Sequence, residues 1–207
     1  MQKPESVRML IHSATGATGG FLLSVALAAG IPPQNIHGTC SAKNLPLLIA
    51  LGVHAHDYAE KKWSAAIKAT GGVDVVFDAV VLGGYYEEGL SCLSRGGKYV
   101  AYGFTDRENP GVLSIWGLAW FFAKMSVRHL FSWFDGIQAE FYVIATRREA
   151  QPREFEEDLH AALDLVAAGR VPAATTAKVW SFSECRDALL SIAQGMSVGL
   201  QVIKVSE

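Results

Sequence analysis

The residues best placed to do chemistry lie near the amino end, in Ala14-Thr15-Gly16-Ala17-Thr18-Gly19. All six are small. They stand between an apolar run, Val7–His12, that reads as a buried strand and a longer apolar stretch, Phe21–Ala29, that reads as a helix stopped by Gly30. A short turn from strand into helix brings backbone N–H groups and the positive end of a helix dipole to one point. Such a point takes an anion, and small side chains let a pyrophosphate come close. Gly16 lets the backbone approach the phosphate, and Gly19 lets the helix pack tightly on the strand. Ala14 stands where the usual fingerprint has its first glycine, so the string alone could equally be a structural turn. Its setting favours the phosphate cradle, because strand, turn, helix and second strand follow in order.

The end of that second strand, Asn35–Thr39, bears on which dinucleotide would fit. A site for NAD places Asp or Glu there, against the ribose 2′-hydroxyl. This chain has Gly38-Thr39-Cys40-Ser41-Ala42-Lys43, with no acid from Ile36 until Asp57. A hydroxyl and an ammonium suit a 2′-phosphate, so Ser41 and Lys43 point to NADPH.

Other candidates are weaker. His54 and His56, two apart in a strand, face one side, but the nearest further ligands, His37 and Cys40, lack a recognised spacing. No metal is expected. No Gly-x-Ser-x-Gly elbow occurs, and Ser13 lies inside the cradle, which argues against a hydrolase. Tyr85, Tyr86 and Tyr102 fall near the carboxyl ends of strands, where α/β sheets bind ligands. Tyr85 or Tyr102 could give a proton to an enolate, against the plainer role of aromatic packing. Cys92 reads as a small buried residue.

These groups need a scaffold, and the chain alternates strand and helix as one requires. Strands are expected at Val53–Tyr58, Val73–Phe77 and Lys98–Tyr102, and helices from Pro46 to Gly52, at Lys61–Thr70 and from Gly83 to Leu93. That rhythm is the signature of an α/β fold, a doubly wound parallel sheet of Rossmann type. Beyond Gly103 come a polar loop, Asp106–Gly111, an apolar helix, Val112–Met125, and a strand at Phe141–Ala145. A helix built on Phe155, Leu159, Leu163 and Val166 follows, then strand Lys178–Phe182, helix Glu184–Ala193 and strand Leu200–Val205. The reading is a dinucleotide-binding domain over 1–150 with a short C-terminal α/β extension over 151–207 packed on it.

Half of the 207 residues are hydrophobic and the formal charge is −2, so the chain can bury a core. Without a basic stripe or polybasic segment, neither nucleic acid nor a membrane surface is an expected partner. Three scattered cysteines fit a reducing, cytoplasmic setting. No apolar run reaches bilayer length.

The chain resembles the cofactor domain of the medium-chain dehydrogenase/reductase superfamily, in its zinc-independent quinone-oxidoreductase-like branch. The resemblance rests on Leu10–Gly19, on Leu51-Gly52 followed by Asp57-Tyr58, on Gly72–Asp78, on Leu93–Gly103, and on Glu154–Leu159 with Leu163 to Pro172. It implies that Ser41, Lys43 and Tyr58 hold the adenosine 2′-phosphate. It also implies that Asp78–Val80 and the segment Tyr102, Gly103 and Phe104 line the nicotinamide side. Relatives carry a barrel-like substrate domain before the first strand, so this chain is expected to be shortened relative to the family. It also departs from the pattern at Pro32-Pro33-Gln34, and has Ala188-Leu189 and Gly199-Leu200 where relatives show Ala-His and Gly-Lys.

The expected function is an NADPH-linked oxidoreductase of quinone or enone reductase type, acting on a small electron-poor molecule. The alternative is a Rossmann-fold protein without redox turnover, a binding or regulatory module, or an enzyme reusing the cleft for cyclisation or isomerisation. Trp116, Trp120, Phe121 and Phe122 read as core or interface, and an uncovered apolar face leads to the expectation of a homodimer.

Overall fold

The computed structural model describes residues 3–60, 62–104, 114–171, 178–193 and 198–205. Six strands form one parallel sheet: β1 (Met9–Ile11), β2 (Ile36–Cys40), β3 (His54–Asp57), β4 (Val73–Asp78), β5 (Leu93–Ala101) and β6 (Gln138–Phe141). Their spatial order is β3-β2-β1-β4-β5-β6. This is the doubly wound order, in which the chain reverses its direction of growth between β1 and β4 and opens a crevice at the strands' carboxyl ends. The Rossmann-type fold expected from the alternation is the fold observed.

Both faces of the sheet are covered, which is why its inner strands are apolar almost throughout. In β1, Met9 and Ile11 join Leu23, Ala26, Ile36, Leu48 and Val53 in a core under α1 (Ala17–Ala28) and α2 (Leu45–Ala50). Leu10 points the other way, into a core with Trp63, Ile67, Val76, Tyr86, Tyr99 and Phe121. That core lies under α3 (Trp63–Ala69), α4 (Tyr85–Ser91) and α5 (Ile115–Asp135). Both β1 and β2 are buried along their whole length. They carry the cradle and the end of β2, so the site sits on the best-packed part of the sheet.

The structure differs from the sequence reading in several places. The first helix starts at Ala17, inside the cradle, because Gly16 takes an extended conformation and serves as its N-cap. β5 starts at Leu93, and the Gly96-Gly97 turn is an irregularity within it, where the register on β4 jumps between Val73 and Val75. α5 continues ten residues past Met125. Ser114 caps its start by accepting the Gly117 N–H at 3.0 Å, and Gly136, at a φ of 73°, ends it. β6 ends at Phe141, and Ile144–Ala150 forms a helix, α6, where a strand was expected. Asp106–Gly111, Val112, Lys61, Pro172 and Ala177 lie outside the described residues.

After α7 (Pro152–Ala167), a separate two-stranded parallel sheet joins β7 (Lys178–Ser181) to β8 (Gln201–Lys204), with α8 (Cys185–Ala193) between them in sequence. The C-terminal segment packs on the rest of the chain through α7, which lies against α1 and α6, and through further bonds. The Arg170 guanidinium donates to the carbonyl of Ala28. Gly199 forms a parallel bridge with Gly16, its N–H donating to Thr15 O at 2.9 Å. None of Cys40, Cys92 and Cys185 is in a disulfide. No helix among the described residues is long and apolar enough to cross a membrane.

Candidate dinucleotide site

The cradle is shaped by close backbone contacts. At Ser13 the chain leaves β1 with a φ of 56°, and Gly16 N–H donates to Ser13 O at 2.8 Å, drawing the turn tight. Gly19 then lies so near this turn that a Cβ there would stand 2.3 Å from Ser13 O. Only glycine permits that approach. Gly38 on β2 makes similar room, since a Cβ there would meet Leu48 at 2.8 Å and Ala14 at 2.9 Å. Gly16, as N-cap, has no side chain of its own to cap α1. The dipole of this twelve-residue helix therefore ends at a surface built from Thr15, Gly16, Ala17 and Thr18, with Ala14 and Gly19 buried beneath it.

Several residues that spacing did not reveal hold the cradle in place. The Thr39 hydroxyl lies 3.0 Å from His12 Nδ1 and accepts from the Ser13 N–H, while Thr39 O accepts the Ala14 N–H at 3.0 Å. Asn44 is buried and donates through Nδ2 to Thr15 Oγ1 at 3.2 Å. Gly199 arrives from the far end of the sequence. Thr39 and Asn44 flank the stretch singled out for the 2′-phosphate, which was the available signal; nothing near Gly199 announced its contact.

At the end of β2, Cys40 pairs with Asp57 of β3, which brings Ser41 and Tyr58 to neighbouring positions. Ser41 Oγ is buried and has no hydrogen-bond partner among the described residues. Lys43 is exposed on the next turn, and Tyr58 is half-buried. The register also brings up a carboxylate that linear reading placed far away. Asp57 stands beside this corner, with its Oδ1 accepting from the Ala59 N–H at 3.0 Å.

On the other side of the switch point, the resemblance implied that Asp78 and Val80 line the nicotinamide. In the structure both residues are buried. The Asp78 carboxylate is taken up by the N–H groups of Val80 and Val81 and by the Tyr99 hydroxyl. Tyr102, Gly103 and Phe104 leave the end of β5 half-buried. The Tyr102 hydroxyl is buried with no hydrogen-bond partner among the described residues. Burial first, and then the neighbouring Asp78 carboxylate, hold the Tyr102 phenol well above its ordinary pKa, so it keeps its proton. Tyr85 packs edge-on to His12 at 5.3 Å and stacks on Trp63 at 5.9 Å. Phe104 stacks on Phe141 at 4.3 Å.

The histidines gather on the α3 side of β2 and β3. His37 Nδ1 lies 3.0 Å from His56 Nε2, and its ring stacks on His54 and His56. Burial, then the neighbouring His56, His54 and Arg8, push the His37 pKa down to about 4, so it is neutral at physiological pH. Among the described residues, no group of three or more His, Cys, Asp or Glu is arranged to hold a metal ion.

The fold and cradle thus define a dinucleotide-binding unit of Rossmann type. A model of the zinc-binding dehydrogenase family matches residues 51–203, and the chain belongs to that family, within the medium-chain dehydrogenase/reductase superfamily of oxidoreductases. Two polyketide synthases share part of its sequence. GfsB of Streptomyces halstedii is 30% identical over 103 residues, which is 50% of this chain and 2% of that protein. A mycocerosic acid synthase-like polyketide synthase of Mycobacterium tuberculosis is 34% identical over 104 residues, 48% of this chain and 5% of that one. Among solved structures, the CurK enoyl reductase superposes with a TM-score of 0.74 at 23% identity. CurA of Vibrio vulnificus, solved in complex with NADPH, gives 0.71 at 16%. This chain is covered at 97% and 98% in those two superpositions and spans 55% and 58% of the solved chains. At these identities the superpositions establish the shared fold.

Proposed function

We propose that the chain binds NADPH at the cradle and serves in the reduction of a small electron-poor molecule, an enone or a quinone. The observation that carries this reading is the end of β2, where Ser41 Oγ is buried without a hydrogen-bond partner among the described residues and Lys43 stands on the next turn. A 2′-phosphate would give that hydroxyl an acceptor and lie within reach of the exposed Lys43 side chain. The cradle fits the other end of the same ligand, since the close approach at Gly19 and the small residues at the start of α1 suit a pyrophosphate. Ala14, Thr15, Gly16, Ala17, Thr18 and Gly19 would hold the pyrophosphate, with Ser41, Lys43 and Tyr58 around the adenosine phosphate. Gly103 and Phe104 would flank the nicotinamide. When bound, the nicotinamide supplies a hydride. Tyr102, kept protonated, is the side chain available near it to deliver a proton.

The partner expected on the surface is a second copy of the chain, in the cytoplasm. Along α5, Trp116, Trp120 and Trp133 are 86%, 65% and 76% exposed, with Phe122, Phe131 and Phe134 also open. At roughly 150–250 Å² per aromatic side chain, these six residues offer about the 800 Å² that one partner contributes to a standard interface.

Calorimetric titration with NADPH and NADH tests the cofactor reading. NADPH binds more tightly by roughly 10- to 100-fold, as charge-assisted bonds of about 1.5–3 kcal/mol imply. Lys43→Glu removes that preference. Equal affinities in the unaltered protein would refute the reading.

A further inference from the structure

Asp78 closes β4 beside the point where the order of the sheet reverses, and its carboxylate is fully buried. It receives the Val80 N–H at 2.6 Å, the Val81 N–H at 3.3 Å and the phenolic O–H of Tyr99. These bonds hold a turn in which Val81, a β-branched residue, has a φ of 44°. That is a conformation such side chains rarely take, and one that persists only where the surroundings over-determine it. The turn is fixed from both flanks as well. The His12 N–H donates to Phe77 O at 2.9 Å, and the Tyr102 N–H donates to Asp78 O at 2.8 Å. Gly103 lies so close that a Cβ there would stand 3.2 Å from Ala79 O. The strained turn therefore touches the Tyr102–Phe104 segment, and the strand that leads into it is bonded to the end of β1, just before the cradle.

We infer that Asp78 and Tyr99 form a positioning pair that holds residues 79–82 in the shape required by the nicotinamide half of the dinucleotide. The inference rests on the cofactor reading above and goes beyond it, because neither side chain touches the ligand. Asp78 acts through the backbone it binds, and Tyr99 acts through Asp78. The adenosine half is held elsewhere, at the end of β2, so the two halves of the site respond separately. A residue that merely supported the fold would weaken both halves together.

The test compares NADPH with 2′,5′-ADP, which carries the 2′-phosphate and lacks the nicotinamide. Both are titrated by calorimetry into the unaltered protein, Asp78→Asn and Tyr99→Phe, with thermal melts to verify folding. NADPH affinity is expected to fall at least tenfold in each variant, while 2′,5′-ADP affinity stays within twofold. Should Asp78→Asn fail to fold, Tyr99→Phe, which removes a single hydroxyl, decides alone. Equal losses for both ligands, or no loss for either, would overturn the positioning role. Failure of the unaltered protein to bind either ligand would overturn the cofactor reading, and this inference with it.

Discussion

Replacing Gly19 by alanine is the most direct perturbation of the cradle. The added Cβ would lie 2.3 Å from Ser13 O, 2.9 Å from Ser13 C and 3.1 Å from Ala14 Cα. All three are backbone atoms, so no change of rotamer relieves the clash. The closest approach is about 1 Å short of ordinary contact, and α1 must withdraw from the turn by about that distance. Overpacking of this kind costs about 1–3 kcal/mol. For a domain of this size that lowers the melting temperature by roughly 2–12 °C. The same shift moves the amides of the first turn away from the phosphates, so nucleotide affinity falls together with stability. Gly16→Ala is the control. Its Cβ would stand 3.2 Å from the same oxygen, at a φ of −76° that any residue adopts, so it costs less stability. Melts followed by circular dichroism, together with NADPH titrations, read both effects. If Gly19→Ala melted and bound like the unaltered protein, or Gly16→Ala were the more damaging change, the close-packing account of the cradle would be wrong.

Acid should weaken the fold through His37. Its pKa is about 4 in the folded chain against an ordinary value of 6.5, so the unfolded state binds more protons and stability falls as pH drops from about 6.5 towards 4. Between pH 7 and pH 5 the loss is about 2 kcal/mol, which urea melts at the two pH values should show, with His37→Gln flattening the slope; stability independent of pH would contradict it. The apolar face of α5 predicts a dimer at micromolar concentration by sedimentation equilibrium, converted to monomer by Trp116→Glu with Trp120→Glu. A monomeric unaltered protein would remove that assignment. Tyr102→Phe should cut turnover at least tenfold, in line with the loss of a general acid, and leave NADPH affinity unchanged; full turnover would exclude Tyr102 as the proton donor.

How much of this was legible in the sequence follows from what spacing can encode. The cradle could be read because small residues between two apolar runs leave a local trace, and the parallel sheet because strand and helix periods alternate. Cross-strand register leaves no such trace. Asp57 looked remote from Ser41 until β3 was laid against β2. The bonds that tie the Asp78 carboxylate to its own turn and to Tyr99 depend likewise on how the strands meet. The apolar run of α5 stops near Met125, while the signals that bound the helix sit at Ser114 and Gly136. The stacking of His37 on His54 and His56 depends on the pairing of β2 with β3.

The bridge between Gly16 and Gly199 has a kinetic consequence. It ties the first helix cap to the start of the last strand and closes a loop that contains nearly the whole chain. The entropy lost in closing a loop grows with its length, and contacts between remote parts of a chain form slowly. The six-stranded sheet can assemble from neighbouring strand–helix–strand units before that contact exists. The cradle reaches its final form only when the last strand arrives. In a refolding experiment, the far-ultraviolet signal of the sheet should therefore recover before the ability to bind nucleotide.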